Sequence, residues 1–320
     1  MTSAAFVRAP RPRHVPLLAD VAHQERPEVE VALDQVGMTE IEIPVQVRDP
    51  GGALLRLPAR ADAFVSLDDP AVKGIHMSRL FLTLQECLSR HELGPRCVEE
   101  IVRGFVASHV ATSAAAHVAI RFDYLIERPA LRSANLGWRS YPVGIEASLV
   151  GGALRVELSA RITYASTCPC SAALSRHHLR DRFLATFDSA PRLDAQRVAR
   201  WLDSAEGLTA TPHSQRSLAD VWVEVAPGDA PSFAELVDRI EGAVVTPVQA
   251  AVKREDEQEF ARLCGSNPMF CEDAARRIVG ALADDPRITG FDVRVEHQES
   301  LHPHNAVARA RSRSGPRDAA

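Results

Sequence analysis

The sequence predicts an α+β fold, an antiparallel sheet with helices on one face, built twice along a chain of 320 residues. Three observations predict it. Segments that alternate apolar and polar residues come in pairs. Between the pairs lie amphipathic segments of helical period. The order strand, strand, helix, helix, strand, strand then recurs after about 110–120 residues, as a repeat of architecture without an obvious repeat of sequence.

Residues 1–38 are rich in proline and charge and read as an N-terminal arm. Residues 39–49 alternate as a strand does, the turn Pro50-Gly51-Gly52 follows, and 53–67 reads as the antiparallel partner. Segments 77–91 and 94–111 carry helical spacing, with Pro95 near the first turn of the second. Segments 117–130 and 140–150 are strand-like and complete a first unit, 39–151.

Val150-Gly151-Gly152-Ala153 marks the seam to a second unit, 152–313. There, 153–165 and 216–226 read as strands, and 232–249 and 267–284 contain helices. Ser232 with Glu235 three residues on has capping-box spacing, and Asn267-Pro268 can open the later helix. Segments 291–300 and 305–313 are the closing strands, and 314–320 a disordered tail. Residues 172–210 have helical periodicity and interrupt this unit as an insertion. A four-stranded sheet with two open edges invites pairing with other subunits.

Composition narrows the function. The chain is 46% hydrophobic and 25% charged, enough for a real core, and its formal net charge of −5 argues against a general nucleic-acid binder. No apolar run reaches the length of a membrane span, and the first residues lack the apolar region of a secretory signal, so a cytoplasmic protein is expected. Thiols are reduced there. Of the six cysteines, Cys87, Cys97, Cys264 and Cys271 fall in helical segments and read as core filler.

Cys168 and Cys170 differ. They flank Pro169 at the end of a strand, and the sequence reads there as a stiff exposed turn suited to a metal ligand or a reactive thiol, or else as two small buried residues. Four further clusters accompany them: His213 in Thr211–Ser217, the charged run 253–259, Glu272 in the first turns of a helix, and Glu299-Ser300-Leu301-His302-Pro303-His304 between the last two strands. Each has an ordinary reading as solvated loop, helix face or helix-end charge. Together they supply cysteine, histidine and carboxylate donors. Three such ligands with an open position suit a catalytic divalent ion, zinc or manganese.

Gly74–Leu80 (GIHMSRL), Ser166–Ser171 (STCPCS), His213–Ser217 (HSQRS), Lys253–Glu272 and Glu299–Ala306 (ESLHPHNA), in that order, resemble the type IB GTP cyclohydrolase family over most of the chain. The resemblance implies two tandem tunnelling-fold (T-fold) units that join edge to edge into barrels. It implies a homotetramer with interfacial active sites and no membrane or nucleic-acid partner. It implies hydrolysis of GTP to 7,8-dihydroneopterin triphosphate and formate, with one zinc, manganese or iron ion per site. By motif position, Cys168, His213 and Glu257 resemble the metal ligands, and His302 a ligand or proton shuttle. Glu272 resembles the carboxylate that holds the guanine edge, and Glu299 another active-site acid. Cys170 is a further candidate for proton transfer. His76, Ser78, Arg79, Arg216, Lys253 and Arg254 are candidates for the triphosphate.

One departure is visible: Cys168 and His213 are 45 residues apart (213 − 168), much further than in the family, because of the insertion. His177 and His178 inside it are rival ligands. Rival functions are a nitrile reductase of the same fold, a cyclohydrolase that stops at a cyclic phosphate, and a non-catalytic purine-binding module with a structural metal.

Overall fold

The computed structural model describes residues 20–189 and 192–312. A single turn of helix, α1 (Val21–Gln24), precedes strands β1 (Leu33–Arg48) and β2 (Leu54–Leu67), helices α2 (Met77–Arg90) and α3 (Pro95–Ser108), and strands β3 (Ala116–Pro129) and β4 (Leu136–Val150). The second half runs β5 (Ala153–Thr167), α4 (Pro169–Phe187), α5 (Ala195–Leu202), β6 (Ser214–Val225), α6 (Phe233–Val244), α7 (Arg254–Ser266), α8 (Cys271–Ala283), β7 (Ile288–His297) and β8 (Ala306–Arg311).

All eight strands form one antiparallel sheet in the order β1 to β8. The expected seam is a tight hairpin. Gly151 and Gly152 both have positive φ (57° and 81°), the conformation that lets a two-residue turn follow the twist of its strands. Hydrogen bonding continues from β4 into β5, so the two halves share a sheet and a single apolar core. Among the described residues β1 and β8 each pair on one side only.

The helices cover one face. α2 and α3 lie over the first half, α6 and α8 over the second. Amphipathic spacing dictates this: Leu80, Leu84 and Leu88 of α2 and Val98, Ile101, Val102 and Phe105 of α3 are buried at three- and four-residue intervals. The opposite face holds a hollow of ≈ 1250 Å³ lined by charged residues, among them Arg121 paired with Asp62 and Arg161 with Asp220. None of the expected site residues lines it.

Several elements differ from expectation. β1 begins at Leu33, within the segment read as an arm, because its register with β2 runs on to Leu33 opposite Leu67. Residues 1–19 and 313–320 lie outside the described residues. Asn267 does not open α8. It closes α7, donating from Nδ2 to the carbonyl of Val244, and α8 starts at Cys271.

The charged run is itself a helix, α7, and its Asp256 is buried. Burial alone would raise that carboxyl's pKa. Hydrogen bonds from the Ser133 hydroxyl and amide and from the amides of Lys253 and Arg132 outweigh burial and hold it well below the usual carboxylate range. Asp256 therefore pins the start of α7 to the β3–β4 loop.

Candidate active site

Strand β5 ends at Thr167 and the chain turns at once into α4. Cys168 is the N-cap residue with extended backbone, and Pro169 takes the first helical position, where a missing N–H costs nothing. The stiff exposed turn expected around Cys168 is thus a helix start, with Cys168 half-buried and Cys170 exposed. The insertion leaves the sheet here and returns at His213, directly before β6. Cys168 N donates to His213 O (3.2 Å), and His213 N donates to Ser171 Oγ (3.1 Å). A long excursion closed at its neck adds little loop entropy, about 0.6 kcal/mol per doubling of length. The insertion is held by its own aromatic cluster of Phe183, Phe187 and Trp201. Its His177 and His178 are exposed, and His178 Nε2 bonds Thr209 Oγ1 at 2.7 Å.

A cavity of ≈ 340 Å³ opens beside this neck. Cys168, Cys170, Ser171 and Leu174 line one side, His213 and Gln215 a second, Met269 and Phe270 a third, and His297, Glu299, Leu301 and His302 the last. The sheet register explains the convergence. The ends of β5, β6 and β7 lie side by side, and α8 begins against them, with Met269 N donating to Thr167 O (3.0 Å).

Glu299 Oε2 is buried without a hydrogen-bond partner and lies 3.8 Å from His213 Nδ1. Gln215 Oε1 lies 3.0 Å from the same nitrogen. His213 therefore turns its Nδ1 edge to the protein. His302 is exposed, with its ring stacked on that of His304. His297 is buried and bonds Tyr164 Oη through Nε2 (2.9 Å). Burial pushes its pKa down to about 4, opposed by the Glu272 carboxylate.

Glu272 is exposed at the second residue of α8, next to the Phe270 wall. It accepts a hydrogen bond from Cys271 Sγ (3.2 Å). Its own backbone amide and that thiol hold its pKa below the usual value. The Cys271 thiol is pushed up to about 11, by burial first and then by Glu272.

The remaining expected residues lie elsewhere in the chain. Glu257 and Arg216 line a neighbouring cavity of ≈ 470 Å³, with Tyr164, Val252, Phe260 and Cys264. Gln215 lines both cavities. Lys253 and Arg254 are exposed at the start of α7. His76 caps α2 and lies 3.4 Å from Asp20, Ser78 is exposed, and Arg79 donates to Ser108 O (2.8 Å). None of these three lines either cavity. Among the described residues no three His, Cys, Asp or Glu side chains stand close enough together to hold a metal ion as placed.

Sequence reasoning missed Gln215, Tyr164, His297 and Met269. A signal for Gln215 was present, because 213, 215 and 217 fall on one face of a strand at period two.

Comparison with known proteins adds an independent finding. Residues 18–308 match the family described as type I GTP cyclohydrolase folE2. A GTP cyclohydrolase FolE2 from Hydrogenovibrio crunogenus is 45% identical over 291 residues, 91% of this chain and 93% of that one. Another, from Pseudomonas putida, is 49% identical over 280 residues, 86% and 87% of the two chains. Among solved structures, uricase from Arthrobacter globiformis superposes with a TM-score of 0.51 at 8% identity, over 92% of this chain and 98% of that one, a likeness of fold alone.

Proposed function

Because the chain belongs to the type I GTP cyclohydrolase FolE2 family, we propose that its reaction runs in the cavity bounded by Cys168, His213, Glu299 and His302. The reaction is hydrolysis of GTP to 7,8-dihydroneopterin triphosphate and formate. The observation that carries the placement is the meeting of a thiol, an imidazole and a buried, unpartnered carboxylate oxygen on one cavity wall system.

The thiol of Cys168 and the imidazole of His213, with the Glu257 carboxylate of the neighbouring cavity, are donor types that suit a divalent ion of the zinc or manganese kind, iron included. Cys168 and His213 would hold it through Sγ and Nε2, with Glu257 the carboxylate from across Gln215. When bound, such an ion supplies a water whose pKa is brought to about 7. Glu299 faces Nδ1, the far edge of His213 from that ligand nitrogen, and so steadies the ring rather than binding the ion.

The chain's own groups carry the rest. Glu272 accepts from the N1 and exocyclic amine hydrogens of guanine. His302, exposed where it lines the cavity, moves protons as the imidazole ring of the purine opens, and Cys170, also exposed, lines the same cavity. Arg216, Lys253 and Arg254 offer cations to the triphosphate from the Glu257 side.

The finer assignment is the type IB form: two T-fold units per chain, and homotetramers whose open β1 and β8 edges join into barrels. His76, Ser78 and Arg79 then serve the site of a second copy. Formate release from GTP, with and without chelator, tests the reaction, and chelator-insensitive turnover would remove the metal. Light scattering and mixing of Arg79→Ala with Cys168→Ala test the shared site. Recovered activity supports it, and exchanged mixtures that stay dead count against it.

A further inference from the structure

Three buried side chains, Gln215, Ser166 and Ser217, run back from His213 into the interior of the sheet. His213 Nδ1 meets Gln215 Oε1 (3.0 Å), Gln215 Nε2 donates to Ser166 Oγ (2.9 Å), and Ser166 Oγ meets Ser217 Oγ (2.8 Å). Ser217 is in register with both Tyr164 and His297, and Tyr164 Oη meets His297 Nε2 beside it (2.9 Å). The strand register builds the path, since Ser166 is opposite Gln215, Tyr164 opposite Ser217, and Ser217 opposite His297. All of these side chains but His213 are buried: Tyr164 and Ser217 are 0% exposed, Ser166 1%, His297 3% and Gln215 8%. Buried polar groups must each be satisfied, so their hydrogens are not free to choose.

The path has one consistent polarity. Gln215 presents its carbonyl oxygen to His213, so Nδ1 carries the proton and donates. Its amide hydrogen goes to Ser166, whose hydroxyl must donate onward to Ser217. The reverse polarity would need the Gln215 amide turned over and a lone pair on His213 Nδ1. The Glu299 oxygen 3.8 Å from that nitrogen opposes such a lone pair and favours the N–H.

We propose that Gln215 and the buried hydroxyls behind it are a positioning device. They fix His213 as the Nδ1–H tautomer with the Nε2 lone pair free for a metal ion. The ligand clause rests on the functional reading above, and the tautomer clause stands on the hydrogen bonds alone. Neither Gln215 nor Ser166 needs to touch the substrate.

The test has two arms. Imidazole nitrogen NMR on the metal-free protein reads the tautomers directly. The expected result is a protonated Nδ1 and bare Nε2 on His213. Zinc titration against a chromogenic chelator reads affinity. Gln215→Leu is expected to give mixed His213 tautomers and zinc binding weaker by about 10–100-fold, the usual range for groups behind a ligand. Ser166→Ala removes the acceptor of the Gln215 amide, and is expected to loosen the His213 tautomer with a smaller affinity loss. A proton on Nε2 of His213 in the wild-type protein overturns the proposal. So does a folded Gln215→Leu with wild-type tautomers and affinity. If Gln215→Leu does not fold, an unchanged His213 tautomer in Ser166→Ala overturns it. A wild-type protein that takes up no zinc, with the tautomers as expected, overturns the ligand clause and the metal reading while the relay stands. Normal zinc uptake with the wrong tautomer overturns the relay alone.

Discussion

Glu299→Gln should weaken metal binding without abolishing it. The Glu299 carboxylate lies 3.8 Å from His213 Nδ1, with its side chain 14% exposed. Full unit charges at that separation attract by about 4 kcal/mol at an effective dielectric near 20. A ligating imidazole carries only part of a charge on its Nδ1–H, and 3.8 Å is long for a direct hydrogen bond. The net effect falls to about 1.4–2.7 kcal/mol, or about 10–100-fold in metal affinity. Gln keeps the shape and an acceptor oxygen but removes the charge, so it isolates the electrostatic part. The assay is zinc titration of the metal-free wild type, Glu299→Gln and His213→Ala against a competing chelator. A Glu299→Gln affinity equal to wild type refutes the orienting role. A loss as deep as that of His213→Ala shows that Glu299 binds the ion itself, and that the argument from the Nδ1 edge is wrong.

Three other perturbations have defined outcomes. Cys168→Ala and Glu257→Gln should each abolish formate release in soluble protein. Metal content distinguishes them from damage elsewhere, because full metal retention in Glu257→Gln would remove that residue from the ligand set. Glu272→Ala should raise the KM for GTP by about 5–150-fold while metal content holds, since unpaired ring donors cost about 1–3 kcal/mol. Normal GTP affinity with depleted metal would exchange the roles of Glu272 and Glu257. Asp285→Asn tests stability. Hydrogen bonds from Arg287, with Arg239 beside it, hold the buried Asp285 at about 2 against an ordinary value of 3.8. Its folded-state pKa is depressed, so its contribution of about 2 kcal/mol is present above pH ~4 and fades as pH falls through about 2. Urea unfolding should show a wild-type advantage at pH 6 that narrows toward pH 3, and a gap independent of pH would refute this.

The sequence by itself determined the order of strands and helices, because period-two and period-3.6 burial are local properties that each segment carries alone. The seam turn was legible for the same reason: glycine adopts the positive φ of Gly151 and Gly152 without the penalty a Cβ would bring. Cys168, His213, Glu299 and His302 were legible as reactive types at the ends of such segments, and the structure brings them to one cavity. Tertiary structure decided the rest. Whether the seam divided two domains or joined one sheet depended on long-range pairing of β4 with β5. Within one dense run of charge, Asp256 became a buried cap while Glu257 was left exposed in the next cavity, a distinction that depends on the β3–β4 loop more than a hundred residues earlier in the chain. Tyr164 and His297 fell within predicted strands, and only strand register shows that they meet, Tyr164 Oη against His297 Nε2, beside the buried Ser217. A residue's type is encoded locally, but its hydrogen-bond partner is chosen by neighbours that only folding brings within 3 Å.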